Sequence, residues 1–175
     1  MNQKHCKSDI TDLIKCNNGE LSGHITNDPI TGLPKLYWFI HIDLELDGQS
    51  EDMQTFSILI EYAEINIPKT STWLDINQYQ FIGNDEGSFY DGTHNQTSYI
   101  KLIFLERFDD IFKVSLTTKF SLDRSNDILS KGEHVIEIEA KIKFTSITID
   151  RDMVRDRDNF FSPIFLRQFL ENYIS

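Results

Sequence analysis

Carboxylates placed near a lysine, a histidine or arginines are the groups of this 175-residue chain with the clearest chemical potential, and they occur in three places. The first is Glu139-Ala140-Lys141, a Glu-x-Lys inside an alternating run. With an upstream carboxylate such as Asp123 or Asp127 it could hold a divalent ion and offer a cation to developing charge, as a metal-dependent nuclease requires. However, Glu137, Glu139, Lys141 and Lys143 share one parity, and alternating charges are the ordinary finish of a solvated strand face. The second is Asp85, Glu86, Asp91 and His94, oxygen-rich enough for calcium or for a catalytic pair of carboxylates. Gly83, Gly87 and Gly92 make the same segment read as turns, and its spacing matches no calcium loop. The third is Asp150, Asp152, Asp156 and Asp158 interleaved with Arg151, Arg155 and Arg157, where opposite charges this dense pair with one another.

None of the motifs that announce catalysis is present: no nucleophile elbow, phosphate-binding glycine loop, dinucleotide fingerprint, HExxH or EF-hand series. The five histidines, His5, His24, His41, His94 and His134, include no pair at metal spacing, and Cys6 and Cys16 belong to no CxxC. The expectation is therefore no catalytic residue, no metal and no cofactor. The start, MNQKHCKSDI, lacks a secretory leader, and two thiols expected to stay reduced place the protein in the cytoplasm.

The elements that must position these side chains are read from periodicity. From Leu36 to Leu46 every even position is apolar, which predicts a half-buried strand. Its odd face reads Tyr37, Phe39, His41, Asp43, Glu45, starting aromatic and ending acidic. Phe56, Ile58, Ile60 and Tyr62 repeat the even phase, and pairing the two runs antiparallel about Ser50 sets Asp43 near Ser57 and Glu61 near Phe39. Short strands are expected near 79–83 and 88–91, and long ones over 98–107, 111–122 and 134–150. In the last, the apolar phase moves from Phe144 to Ile147, as a β-bulge would require. Ile10, Leu13 and Ile14 with Ser8 as cap predict a short N-terminal helix. Ser162, Pro163 and the stripe Phe165, Leu166, Phe169, Leu170 and Tyr173 predict a C-terminal one. The fold expected is a single mainly β domain over 1–175, an antiparallel β-sandwich or strongly curved sheet with short helices at both ends.

Charge narrows the function classes. With 28 acids against 17 bases the net charge is −11, which opposes a nucleic-acid surface, and no apolar run is long enough for a membrane span. Between Leu36 and Ile100 the only Lys or Arg is Lys69, against 11 carboxylates. A field of one sign draws a partner of the other. The outward face of the two paired strands, Tyr37, Phe39, His41, Asp43, Glu45, Leu59 and Glu61, combines an aromatic centre with a charged rim, the common build of a protein interface.

In small size, antiparallel strands, acidity, cytoplasmic thiols and the basic-poor segment from Leu36 to Ile100, the chain resembles the immunity proteins that protect bacteria from polymorphic toxins. The resemblance is one of overall character. It implies a non-catalytic inhibitor that binds a basic toxin domain and occludes its active site. Two other readings compete: a carbohydrate-binding or glycan-active sandwich using Trp38, Trp73, Tyr90 and the 84–97 carboxylates, and a homo-oligomeric structural protein pairing through an open sheet edge.

Overall fold

The computed structural model describes residues 7–11, 14–32, 34–46, 56–63, 80–125 and 129–150. In these segments the alternating runs become nine strands: β1 (Lys7–Asp9), β2 (Ile14–Asn27), β3 (Pro34–Leu46), β4 (Phe56–Ala63), β5 (Gln80–Gly83), β6 (Gly87–Tyr90), β7 (His94–Phe108), β8 (Ile111–Leu122) and β9 (Gly132–Ile149). Neighbours pair antiparallel from β2 through β3, β4, β6, β7 and β8 to β9. The ladder closes where β9 pairs with β2, in parallel, at Gly19↔Ile142 through Ile25↔Ile149. The parallel closure follows from the count: an up-and-down run of seven strands ends with its last strand pointing the same way as its first.

The two remaining strands extend this barrel along strands already in it. β5 pairs antiparallel with β7 from Gln80↔Ile103 to Gly83↔Ile100, ahead of β6 at Ser88↔Gln96, so β5 and β6 are one interrupted strand. At the interruption Asp85 has a φ of 64°, a left-handed conformation that Asp tolerates better than most residues, and its N–H donates to Thr97 O at 3.0 Å. Likewise β1 runs parallel to β9 at Lys7↔Glu133 to Asp9↔Val135, ahead of β2.

Period two carries the even positions inward. Trp38, Ile40, Ile42, Ile58, Ile60, Ile100, Leu102, Phe104, Phe112, Val114, Leu116 and Phe120 are all buried, and each such large side chain contributes roughly 1.5 to 3 kcal/mol. A stack of rings crosses the interior: Phe56 on Phe89 (5.8 Å), Phe89 on Phe120 (4.1 Å), and Phe120 on buried His134 (5.5 Å). The stack links β4, β6, β8 and β9. Buried polar groups are satisfied locally: His134 Nε2 lies 2.7 Å from Ser130 O, and the Thr97 and Thr118 hydroxyls donate to Gly87 O and Tyr99 O. Where β2 meets both neighbours, a Cβ on Gly19 would stand 2.5 Å from Ile142 Cγ2 and 3.0 Å from His41 O, so only glycine allows this approach.

Three expectations change. The sheet closes on itself, so the architecture is a barrel and not a sandwich; alternation reports which face is buried but not whether one sheet or two enclose it. The N-terminal helix is replaced by β1, a turn at Thr11 and the start of β2. The reason lies in β9, whose first residues precede its pairing with β2 and take partners from 7–11: Ser8 pairs with His134, Ile10 N donates to Val135 O, and Glu137 N donates to Thr11 Oγ1. Ile10, just past β1, and Ile14, at the start of β2, are still buried. Tyr62 does not share the inward phase of Phe56, Ile58 and Ile60. The β3–β4 register shifts between Trp38↔Ala63 and Ile40↔Ile60, Tyr62 takes a φ of 58°, and this bulge turns its ring outward while Ala63 points in. The shift foreseen after Phe144 is present, since Leu21 pairs with Phe144 and Ser22 with Ser146. The C-terminal helix expected from Ser162 onward lies outside the described residues.

Candidate functional site

The outer face of β3 and β4 begins at the turn joining β2 to β3. Asp28 organises that turn: one carboxylate oxygen accepts from Ile30 N (2.9 Å), Thr31 N (2.8 Å) and Thr31 Oγ1 (3.1 Å), the other from Tyr37 OH (3.2 Å) and Lys35 Nζ (3.4 Å). Donors on every side, led by the Thr31 N–H, hold its pKa well below the usual carboxylate range. Tyr37 is fixed by this bond and by Lys35 over its ring at 5.2 Å, and it is 7% exposed.

Tyr37 starts a chain of edge-to-face rings: Tyr37 to Tyr62 at 5.7 Å, Tyr62 to Phe39 at 5.1 Å, and Phe39 to His24 at 6.0 Å. Such contacts hold aromatic side chains in place without burying them. Tyr62 remains 59% exposed and Phe39 half-buried, so the accessible apolar centre is Tyr62 and Phe39, with Tyr37 as their anchor. Sequence reasoning missed Tyr62 because its outward turn depends on a bulge at a non-glycine residue, and no turn-forming residue in Glu61-Tyr62-Ala63 marks it.

The acidic half continues along β3. His41 Nε2 lies 3.4 Å from Asp43 Oδ1, with both side chains about half exposed (45% and 51%). Cross-strand pairing sets His41 beside Leu59 and Glu20, and Asp43 beside Ser57. Glu45 is exposed, opposes Lys15 of β2 and lies one residue beyond the last described β3–β4 pair, Leu44↔Phe56, at the end of the face away from Glu61. Cys16 is half-buried behind this edge. Burial and then the Asp43 charge push its thiol pKa up, the reverse of what a reactive thiolate needs.

Beyond Leu59 and Glu61 the face opens into a groove of about 680 Å³. Its lining comes from three neighbouring segments of the sheet: Leu59, Glu61 and Tyr62 of β4, Asp85, Glu86, Gly87 and Ser88 beside them, and His94 and Gln96 of β7. β4 and the 84–86 turn are held together by Glu61 N donating to Glu86 O at 3.4 Å, and Gln96 Nε2 donates to Asp85 O at 3.0 Å. Ser88 Oγ and His94 Nδ1 are 3.0 Å apart, and the His94 ring leans on Tyr90 at 5.1 Å.

The face thus brings together Tyr37, Phe39, His41, Asp43, Leu59 and Glu61, with Glu45 at its margin. The other sequence candidates are placed elsewhere. Glu139 pairs with Lys113 at 2.8 Å, an ion pair that raises the lysine pKa, and lies on a solvated outer face as expected. Asp91 is taken up by its own turn, accepting from Thr93 Oγ1 and Asn95 Nδ2, apart from the groove residues Asp85, Glu86 and His94. Asp150 accepts from Thr26 Oγ1 at 3.2 Å, while the rest of the 150–158 cluster lies outside the described residues. Trp38, named as a sugar platform, is 1% exposed inside the barrel and cannot stack on a glycan; Trp73 lies outside the described residues. Among the described residues no three His, Cys, Asp or Glu converge on a point where a metal could sit, and no helix is long and apolar enough to cross a membrane. No family model matches the chain, and no curated protein or solved structure matches it.

Proposed function

We propose that this chain is a non-catalytic binding domain whose outer β3–β4 face docks a basic protein in the cytoplasm, in the manner of an immunity protein that occludes a basic toxin domain. One observation carries the reading: the exposed ring of Tyr62 and the half-buried ring of Phe39 pack on each other on the outer barrel face that also carries the exposed acids Asp43 and Glu61. Aromatic anchors fixed before binding lose little freedom on docking, and a surrounding acidic rim speeds the approach of a cationic partner. The closed ladder weakens the competing structural role, since among the described strands only the short β1 and β5 have a single pairing neighbour.

The test uses wild-type protein and the Asp43→Lys/Glu45→Lys/Glu61→Lys variant as paired baits in a lysate of the native host, followed by affinity measurement with the purified captured protein. All three acids are exposed, so the variant should fold, with each change costing within about 0.5 kcal/mol. The reading expects a basic partner, binding abolished by the variant, association slowed by salt, and a loss of at least about 2 kcal/mol for Phe39→Ala. A partner that binds the triple variant as tightly as the wild type removes this face from the function. A toxin gene next to this one would supply the partner's identity.

A further inference from the structure

We propose that docking is pH-sensitive: three histidines of the outer wall, His24, His41 and His94, gain charge on acidification and release a basic partner, an inference that rests on the docking face proposed above and adds its regulation. Among the described residues these are the histidines that reach solvent; the fourth, His134, is buried in the core. His41 stands at the middle of the face, cross-strand from Leu59 of β4, with its side chain 45% exposed. His24 borders the aromatic end, its ring edge-on to Phe39 at 6.0 Å, and exposed His94 lies past Leu59 and Ser88 at the other margin.

Each imidazole has an acid or an aromatic anchor beside it, so its proton acts where a partner would dock. Around His41 the charged groups are Asp43, whose Oδ1 lies 3.4 Å from Nε2, Glu20 cross-strand on β2, and Glu61 on β4. His24 has the Thr148 hydroxyl of β9 at 2.9 Å from Nδ1 and Tyr37 of β3 cross-strand; one step along the wall, Thr26 meets Asp150 of β9 and Lys35 of β3. His94 has Ser88 Oγ at 3.0 Å and the Tyr90 ring at 5.1 Å, both from β6, and Asp91 in the turn before it. Glu61 and Asp85 line the same depression as His94, while the Glu86 carboxylate lies against Gly83. Histidine ordinarily titrates between about pH 5 and 8, well above carboxylates at roughly 4 and below lysine at roughly 10, so across that range imidazoles change charge while acids and a partner's lysines do not. With the imidazoles neutral, the wall offers a cation the exposed acids Glu20, Asp43, Glu45, Glu61 and Asp85. With them protonated, His41 pairs with Asp43 and withdraws that carboxylate, His24 sets a positive charge against the Phe39 anchor, and His94 repels a cation from Glu61 and Asp85. Docking and protonation oppose each other by one and the same coupling free energy.

The experiment is an NMR titration of the intact chain with decalysine in low-salt buffer, at about pH 7.5 and again at about pH 5.5. Decalysine stays fully charged over this range, so any pH dependence belongs to the domain. It should shift the amides of 39–43 and 59–62 and bind at least about tenfold more weakly at the lower pH. Calorimetry midway between the two, in buffers of different ionisation enthalpy, should show protons released on binding. In His24→Gln/His41→Gln/His94→Gln the ratio of the two affinities should fall below about twofold, whatever the affinity itself, with retained spectral dispersion as the check on folding. Equal wild-type affinity at both pH values, or the same ratio in the histidine variant as in wild type, overturns the proposal. Decalysine shifts on this wall without pH dependence would sink the switch and leave the docking face intact. A histidine-dependent ratio in a protein whose captured partner ignores the Asp43/Glu45/Glu61 variant would do the reverse, and shifts that avoid the wall altogether would remove both.

Discussion

Removing the ring of Phe89 should test whether the barrel is held by its aromatic stack. Phe89 is completely buried and lies between Phe56 at 5.8 Å and Phe120 at 4.1 Å, so it connects the short β6 to both sides of the interior. Truncation to alanine loses the transfer free energy of the ring and leaves a cavity, together about 3 to 5 kcal/mol. Against a margin of about 5 to 15 kcal/mol this is a large fraction of the total. For a chain of this size each kcal/mol lowers Tm by about 2 to 4 °C, so Phe89→Ala should melt roughly 6 to 20 °C below wild type. Phe89→Leu keeps most of the apolar volume but forfeits two ring contacts, and about 1 to 2 kcal/mol is expected. Urea denaturation followed by circular dichroism measures both variants, and an unchanged m-value certifies that the midpoint shift is a stability change. A loss below about 1 kcal/mol for Phe89→Ala at constant m would refute the stack as a source of stability.

Gly19→Val should destabilise the barrel by at least about 1 to 3 kcal/mol, because its branched side chain must displace Ile142 or the His41 carbonyl at the closing seam; denaturant midpoints report it. Asp28 gives a pH signature. Its pKa is depressed in the folded state, so its contribution is complete above the ordinary carboxylate value of roughly 4 and is lost as pH falls below that. The Tm gap between wild type and Asp28→Asn should therefore be full at pH 6 and narrow steadily from pH 4 to pH 2; a gap that widens on acidification contradicts the assignment. Asp28→Asn should also leave the Tyr37 hydroxyl with a weaker acceptor, visible as a shift of its ring resonances.

Much of this fold is legible in the residues because the barrel wall has one buried side. The even-phase runs of β3 and β8, the short strands β5 and β6, and the phase shift in β9 all follow from alternation alone. Closure does not, because a strand of a barrel and a strand of a sandwich bury the same alternate residues and differ only in which strand lies beside them. The first segment was misread for a related reason: Ile10 and Ile14 fit one turn of helix, but they equally fit two strand segments on either side of Thr11, and the start of β9, which pairs with β8 on one edge and precedes its pairing with β2 on the other, selects the second. Within the candidate site, the pairing of Asp43 with Ser57 is as the alternation indicated. Tyr62 was lost because one extra residue in β4 inverts the phase, and the left-handed residue that absorbs it is a tyrosine.

The parallel seam between β2 and β9 also sets the order in which the barrel can assemble. Thr148 meets His24 and Gly23 across this seam, with 124 residues separating Thr148 from His24. The length-dependent entropy of closing such a loop is about 4 kcal/mol, against about 2 kcal/mol for a ten-residue hairpin, so the local hairpins should form before the seam. On the ribosome, β2 can pair with β3 as soon as both emerge, but its other edge must wait until nearly the whole described chain has been synthesised. During that interval a fourteen-residue strand presents unsatisfied backbone groups to whatever lies nearby. The nascent chain is then most exposed to mispairing with another copy of itself, and completion of β9 removes that hazard.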